Sequence, residues 1–199
     1  QNPRDYNEKV QWLKIYSDTS LWTVLADKYK VREYIKECGL DDILVELYGV
    51  WSKAEEIDFS LLPNSFVLKT NNGCGKNILV YNKGLIDEKE IRDLLRFWLR
   101  ERNSLVSFQP HMWNIESRII AEELLINKNS IRFSKSLIDY KFFCFHGEPE
   151  FINVICDRKN LTIGETSDVK GYLMRENVYD LNWKPIPNIL AKPTEYDII

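Results

Sequence analysis

The chain has no apolar run approaching the roughly 18–20 residues that cross a bilayer as a helix, so it reads as not membrane-spanning. It has only two histidines, His111 and His146, and no pair among Cys38, Cys74, Cys144 and Cys156 has C-x-x-C spacing. That scarcity argues against a zinc site. A chain of 199 residues does not need disulfides. The thiols therefore read as buried and reduced, which implies a cytoplasmic setting. A net charge of −3 provides no global field for nucleic acid. The Walker pattern G-x-x-x-x-G-K-[ST], a compact D-x-D metal motif, internal repeats and low-complexity segments are all missing from the sequence. No signal-peptide pattern is visible, although the start at Gln1 is compatible with an upstream piece.

What is present is ordinary for a globular protein, with 44% hydrophobic and 29% charged residues. The length suits one domain or two small lobes. Six Trp within 13% aromatics are enough for a sizeable core.

The stretch Phe66-Val67-Leu68-Lys69-Thr70-Asn71-Asn72-Gly73-Cys74-Gly75-Lys76-Asn77 stands out. An apolar run ends in a lysine, a loop with two glycines comes next, and Ile78-Leu79-Val80-Tyr81 is a second apolar run. Glycines let backbone N–H groups approach phosphate oxygens, and Lys69 and Lys76 bring positive charge. A plain β-hairpin with a polar loop has the same letters. Cys74 reads as a space-filler rather than a nucleophile.

Around this stretch the chain alternates helices and strand pairs. Glu8 to Tyr16 is a short amphipathic helix with Val10, Trp12, Leu13 and Ile15, and Asp18-Thr19-Ser20 breaks it and can cap the next helical segment. Asp27 to Cys38 reads as a stronger helix with Val31, Tyr34, Ile35 and Cys38 on one face, and Gly39 stands at C′. Lys28 in its first turn runs against the helix dipole. Either it is simply exposed or it points at an anion. Asp42 to Val45 and Leu47 to Trp51 read as short strands, and Lys53 to Leu62 as polar linker with a helical turn. Asp87 to Arg100 is the clearest helix, with an Ile91, Leu94, Leu95, Trp98, Leu99 stripe and a capping box of Asp87 with Glu90.

Arg118 to Ile126 reads as a buried strand interrupted by Glu122 and Glu123. Ionised carboxylates are seldom fully buried unpaired. Either the strand ends there at the surface, or the carboxylates face a ligand or a lysine. Asp139 to Phe145 and Pro149 to Ile155 form a hairpin about His146-Gly147-Glu148, with Phe142, Phe143 and Phe145 read as core. Val178 to Trp183 is short and extended. The pattern predicts an α+β protein of mainly antiparallel sheets with helices packed on one side.

The order of these pieces resembles the ATP-grasp nucleotide-binding fold. It is most similar to the TupA-like branch, named for a teichuronopeptide biosynthesis protein. The similarity rests on Asn2-Pro3, Tyr6-Asn7-Glu8-Lys9, Gln11-Trp12-Leu13-Lys14 and Ala26-Asp27-Lys28-Tyr29-Lys30-Val31-Arg32-Glu33-Tyr34. Phe66-Val67-Leu68-Lys69, Ile120-Ala121-Glu122-Glu123-Leu124-Leu125, Asp139-Tyr140-Lys141-Phe142-Phe143-Cys144-Phe145 with Gly147, and Asp180-Leu181-Asn182-Trp183 extend it over nearly the whole chain.

The resemblance implies two lobes of mainly antiparallel sheet with packed helices. Residues 1–62 would be an N-terminal helical segment, 63–124 a small lobe with a glycine-rich lid, and 125–199 the start of a large, incomplete lobe. Lys28 and Lys69 would contact ATP phosphates. Gly73, Gly75, Lys76 and Asn77 would belong to the lid. Glu122, Glu123, Leu124 and Leu125 would form a hinge whose backbone reads the adenine edge. One of its two carboxylates would hold ribose or the adenine amino group. Asp139 and Lys141 would sit beside the hinge. Arg158 would contact phosphate or substrate, or make a structural salt bridge. No metal ligand is assigned. The family's magnesium-holding carboxylates and asparagine are expected beyond residue 199, since Lys192-Pro193 resembles the run-in to those strands and the chain appears truncated there.

The implied activity is that of an ATP-dependent carboxylate–amine ligase, or its nucleotide-binding N-terminal part, in bacterial cell-surface polysaccharide synthesis. ATP and Mg²⁺ would serve it. A carboxylate-bearing sugar or peptide would be the acceptor, and an amino acid would supply the amine. A glycosyltransferase-type protein, a saccharide kinase and a catalytically inactive nucleotide-binding fragment are the competing readings.

Overall fold

The computed structural model describes residues 2–73, 75–101, 108–127, 134, 136–158 and 174–187, and the backbone of 161–163. Cys74 and the Lys192-Pro193 run-in lie outside the described residues. The chain divides into two compact units, residues 1–124 with 161–165, and residues 125–160 with 166–199.

The first unit is a five-stranded sheet with helices. Its strands are β1 (Leu47–Trp51), β2 (Phe66–Thr70), β3 (Asn77–Val80), β4 (Ile119–Glu122) and β7 (Leu161–Ile163), in the order β1-β4-β2-β3-β7. All pairings are antiparallel except β3 with β7, which is parallel. Period-two alternation turns Phe66, Leu68, Ile78, Val80, Ile119 and Ala121 into one core. Helix α4 (Glu88–Arg100) lays Ile91 and Leu95 against it, and the Asp87 carboxylate caps the Lys89 and Glu90 amides.

The stretch before β2 is more than a polar linker. Two 3₁₀ turns, Ala54–Glu56 and Phe59–Leu61, carry Ala54, Ile57, Phe59 and Leu62 into the same core. Burying a large apolar side chain contributes about 1.5–3 kcal/mol. The Arg92 guanidinium of α4 holds the segment down, donating to the Ala54 and Ile57 carbonyls at 2.5 and 2.9 Å. It also lies over the Phe59 ring, 4.9 Å from its centroid.

Helices α1 (Tyr6–Tyr16), α2 (Ser20–Ala26) and α3 (Val31–Glu37) precede the sheet. The third begins four residues later than the sequence suggests. Asp27 accepts hydrogen bonds from the Tyr29 and Lys30 amides, so residues 28–30 form a turn instead of a first helical turn. The expected strand at Asp42–Val45 is likewise absent. Asp41–Ile43 is a 3₁₀ turn closed by the Leu44 amide on the Asp41 carbonyl at 3.1 Å, and aspartate is a poor strand former.

The second unit is an antiparallel sheet of β5 (Asp139–Phe145), β6 (Glu148–Cys156) and β8 (Arg175–Tyr179), in that order. His146 and Gly147, at φ 54° and 88°, make the tight turn between β5 and β6. Its core joins Ile138, Ile152, Val154, Cys156 and Tyr179. The aromatic strand is not all core. Phe142 is 57% and Phe145 41% exposed, on β5 at the edge of the sheet. Phe143 instead stacks on Phe151, with centroids 4.5 Å apart. The thiols also differ from expectation. Cys156 is buried, and burial raises its pKa, whereas Cys38 and Cys144 are exposed at a helix end and on the edge strand.

His111, in the 3₁₀ turn Pro110–Met112, meets the edge of Trp22 of α2. Burial, then the charge of Lys14, depresses its pKa. A folded pKa below the unfolded value of about 6.5 means that its contribution is full above that pH and is lost as pH falls through it. The thermal midpoint should therefore fall between about pH 7 and pH 5, and His111→Gln should remove part of that fall. An unchanged profile in the variant would refute this assignment.

Candidate functional site

In the first unit the end of β2 collects the residues singled out in the sequence. Phe66, Leu68 and Thr70 face the core, so Val67 and Lys69 face the other side of the sheet. On β4 the same alternation sends Ile120 and Glu122 to that side, and the register sets Val67 opposite Glu122 and Lys69 opposite Ile120. Lys69 and Glu122 are thus diagonal neighbours on one face, within reach of each other. The Lys69 ammonium pairs with Glu122 Oε2, and Arg32 Nη1 of α3 pairs with Oε1 at 3.2 Å. The Glu122 side chain is only 6% exposed, against 24% for Lys69 and 11% for Arg32. Both readings of the carboxylate pair hold, one for each residue. The strand does end there, and Glu122 is buried because it is paired.

Glu123 behaves differently. It is exposed, and its amide donates to the Glu46 carbonyl at 3.0 Å. Partial burial, then the charges of Glu46 and Glu123, raises the pKa of Tyr48. Leu124 is half-buried and ends the first unit, while Leu125, exposed, opens the second.

Beyond β2, Asn71 fastens three segments together. Its Nδ2 donates to Asp27 Oδ1 and to the Glu116 carbonyl, both at 2.9 Å, and its Oδ1 accepts from the Arg118 amide at 2.7 Å. Its carbonyl accepts from the Lys28 amide at 3.2 Å. Asp27 and Asn71 are both buried. This clasp fixes the backbone of Lys28, whose ammonium donates to the Thr70 carbonyl at 3.2 Å and to the Gly73 carbonyl. The lysine expected at a helix start thus reaches the base of the glycine loop from a turn.

The loop itself is held at both shoulders. Asn72 donates to Ser117 Oγ at 2.6 Å. Lys76 runs back to the end of α4, bonding the Trp98 carbonyl at 3.2 Å and Glu101 at 2.9 Å. A side chain at position 73 would press on Lys76, since an added Cβ would lie 3.2 Å from Lys76 Cδ. Gly75 has φ 71°, a conformation other residues resist. Asn77 opens β3 opposite Lys69. Thr70 Oγ1 and Asn72 Oδ1 are buried with no hydrogen-bond partner among the described residues.

The remaining expected residues lie in the second unit. Asp139 and Lys141 alternate onto one face of β5, with Lys141 exposed and opposite Asn153. Arg158 Nη2 pairs with Asp139 Oδ2 at 2.7 Å. Among the described residues no group of three or more His, Cys, Asp or Glu could hold a metal ion. No helix among them is long and apolar enough to cross a membrane.

Three contributors escaped the sequence reading, namely Arg32, Asn71 and Glu101. Arg32 had a signal, because a buried carboxylate pair demands cations and Arg32 lies close behind Lys28 and Lys30. Asn71 and Glu101 had none, since their partners are distant in sequence.

No curated protein and no solved structure matches the chain. A family model described as TupA-like ATPgrasp matches residues 8–198. With Lys69 and Glu122 facing each other at the end of the glycine-loop hairpin, and a family match over almost its full length, this chain belongs to the TupA-like ATP-grasp family.

Proposed function

We propose that the chain is the nucleotide-binding part of an ATP-dependent carboxylate–amine ligase acting in bacterial cell-surface polysaccharide synthesis. The observation that carries the reading is that Lys28 bonds the Thr70 and Gly73 carbonyls at the root of the glycine loop, while Lys69 of the strand leading into that loop holds a partly exposed ammonium beside Glu122. Their surroundings suit polyphosphate. Lys28, Arg32, Lys69 and Lys76 outnumber the carboxylates of Asp27, Glu101 and Glu122. Thr70 Oγ1, buried beneath the loop with no partner among the described residues, is a hydroxyl able to donate.

Within this reading Lys69 holds phosphate charge, and Lys28 sets the height of the loop over it. Glu123 is the carboxylate open to ribose or to the adenine amino group, because both oxygens of Glu122 are already paired. ATP-grasp proteins generally bind ATP with magnesium, but the described residues do not form a magnesium ligand set. The roles assigned here therefore belong to the chain's own cations. The net chemistry is that of ligation. The acceptor carboxylate takes the terminal phosphoryl group and ADP leaves, then the amine attacks the acyl carbon and phosphate leaves.

Calorimetric titration with the β,γ-imido analogue of ATP tests the phosphate role. Lys69→Met should bind roughly 10–100-fold more weakly than wild type, and equal affinity would refute the role. Release of ADP and phosphate that requires both a uronic-acid saccharide and an amino acid is the expected turnover. ADP release with the saccharide alone would make the protein a kinase. A preference for UDP-sugars over ATP would make it a glycosyltransferase. Binding without turnover would make the chain a nucleotide-binding module.

A further inference from the structure

Arg32 is counted among the cations above but has no role of its own in that reading. Its guanidinium is anchored from two sides, by Glu122 Oε1 at 3.2 Å and by the Val45 carbonyl at 2.6 Å. With 11% of its side chain exposed, it is not placed to swing out to a ligand. The Glu122 carboxylate gives one oxygen to Arg32 and the other to Lys69. Two cations therefore share one anion, and the triad carries a net charge of one positive unit.

The surplus has a definite location. Arg32 is walled in, whereas Lys69 has 24% of its side chain exposed. We infer that Arg32 is a positioning residue for nucleotide phosphate. By neutralising Glu122 it keeps the Lys69 charge available to an anion while Glu122 holds the Lys69 ammonium in place. Without Arg32, Lys69 and Glu122 are a neutral pair. An incoming phosphate would then compete with a buried carboxylate for the same ammonium, and like charges would face each other across it. With Arg32 present, that carboxylate is already compensated.

This rests on the phosphate reading of Lys69, and charge counting makes it separable from a merely structural role. Binding is compared among variants shown to fold, so a change in stability alone does not produce the expected pattern. The test is calorimetric titration of the 199-residue chain with the β,γ-imido analogue of ATP, each variant being checked for folding by circular dichroism. Arg32→Gln keeps an N–H donor for the Val45 carbonyl and should weaken binding about tenfold. Arg32→Gln combined with Glu122→Gln should return it to within about threefold of wild type. Arg32→Lys should stay near wild type.

The inference is overturned if Arg32→Gln binds as wild type does, or if the double variant binds no better than Arg32→Gln. Should Arg32→Gln not fold, Glu122→Gln decides. Freed of the carboxylate charge, it should bind the analogue at least as tightly as wild type, and weaker binding overturns the inference. Lys69→Met separates the two claims. Unchanged binding in that variant removes the phosphate reading and the inference with it. Weak binding there, beside wild-type binding in Arg32→Gln, removes the inference alone.

Discussion

Replacing Glu122 with leucine should lower the stability of the chain by about 3–5 kcal/mol, read from urea unfolding monitored by circular dichroism. Leucine keeps most of the volume, so the loss comes from charge. Glu122 compensates Lys69 and Arg32 on the sheet face away from the main core, and it is almost fully buried. Its removal leaves two cations with no anion between them. Lys69, nearly a quarter exposed, can regain water, whereas Arg32 cannot without breaking its bond to the Val45 carbonyl. Most of the penalty therefore falls on Arg32.

A triple variant checks that explanation. Glu122→Leu with Arg32→Met and Lys69→Met removes every charge of the triad at nearly constant volume. Such replacements are often neutral or stabilising, so the triple variant should recover at least half of the loss. A single variant within about 1 kcal/mol of wild type would mean that the triad is solvated and of little consequence.

The second large effect belongs to Asn71. Asn71→Leu should cost about 3–4 kcal/mol, since three side-chain hydrogen bonds disappear and buried partners remain. The Arg118 amide and the Glu116 carbonyl lose a buried partner, and Asp27 keeps only the Tyr29 and Lys30 amides. Asn71→Asp should be at least as damaging. It preserves the acceptor for the Arg118 amide but sets a second carboxylate against Asp27. Stabilities of both variants equal to wild type would show that the clasp does not hold these segments.

The variant should also loosen the glycine loop, because the side-chain bond from Asn71 to Asp27, the residue that caps the turn carrying Lys28, is lost. Hydrogen exchange at residues 72–77 would report this, with faster exchange in Asn71→Leu than in wild type.

The legible parts of this protein were those governed by neighbours along the chain. Two apolar runs about a glycine loop marked the hairpin at Phe66–Thr70 and Asn77–Val80, and the apolar stripe on residues 88–100 marked α4. The helical turn in the segment at 53–62 was legible but its burial was not, because its apolar residues keep no regular period and its carbonyls are held by Arg92 and Lys83 from distant positions. Phe142 was misread as core because an aromatic strand looks the same in the middle of a sheet and at its edge.

The sequence alone established the α+β class, the family resemblance, and the presence of lysines beside a glycine loop. It also implied that a carboxylate in a buried strand needs a partner, since an unpaired buried charge is too costly to persist. What it could not say was which carboxylate, and with which cations. Strand register made Glu122 the diagonal neighbour of Lys69, and the placement of α3 brought in Arg32 from ninety positions away. Glu123, one residue on, lies past the end of β4 and is exposed. The same tertiary packing turned Lys28 from a lysine in a first helical turn into the tether of the loop, through a buried Asn71–Asp27 bond across 44 positions. Pairing across such distances is set by sheet register and burial, which local sequence does not encode.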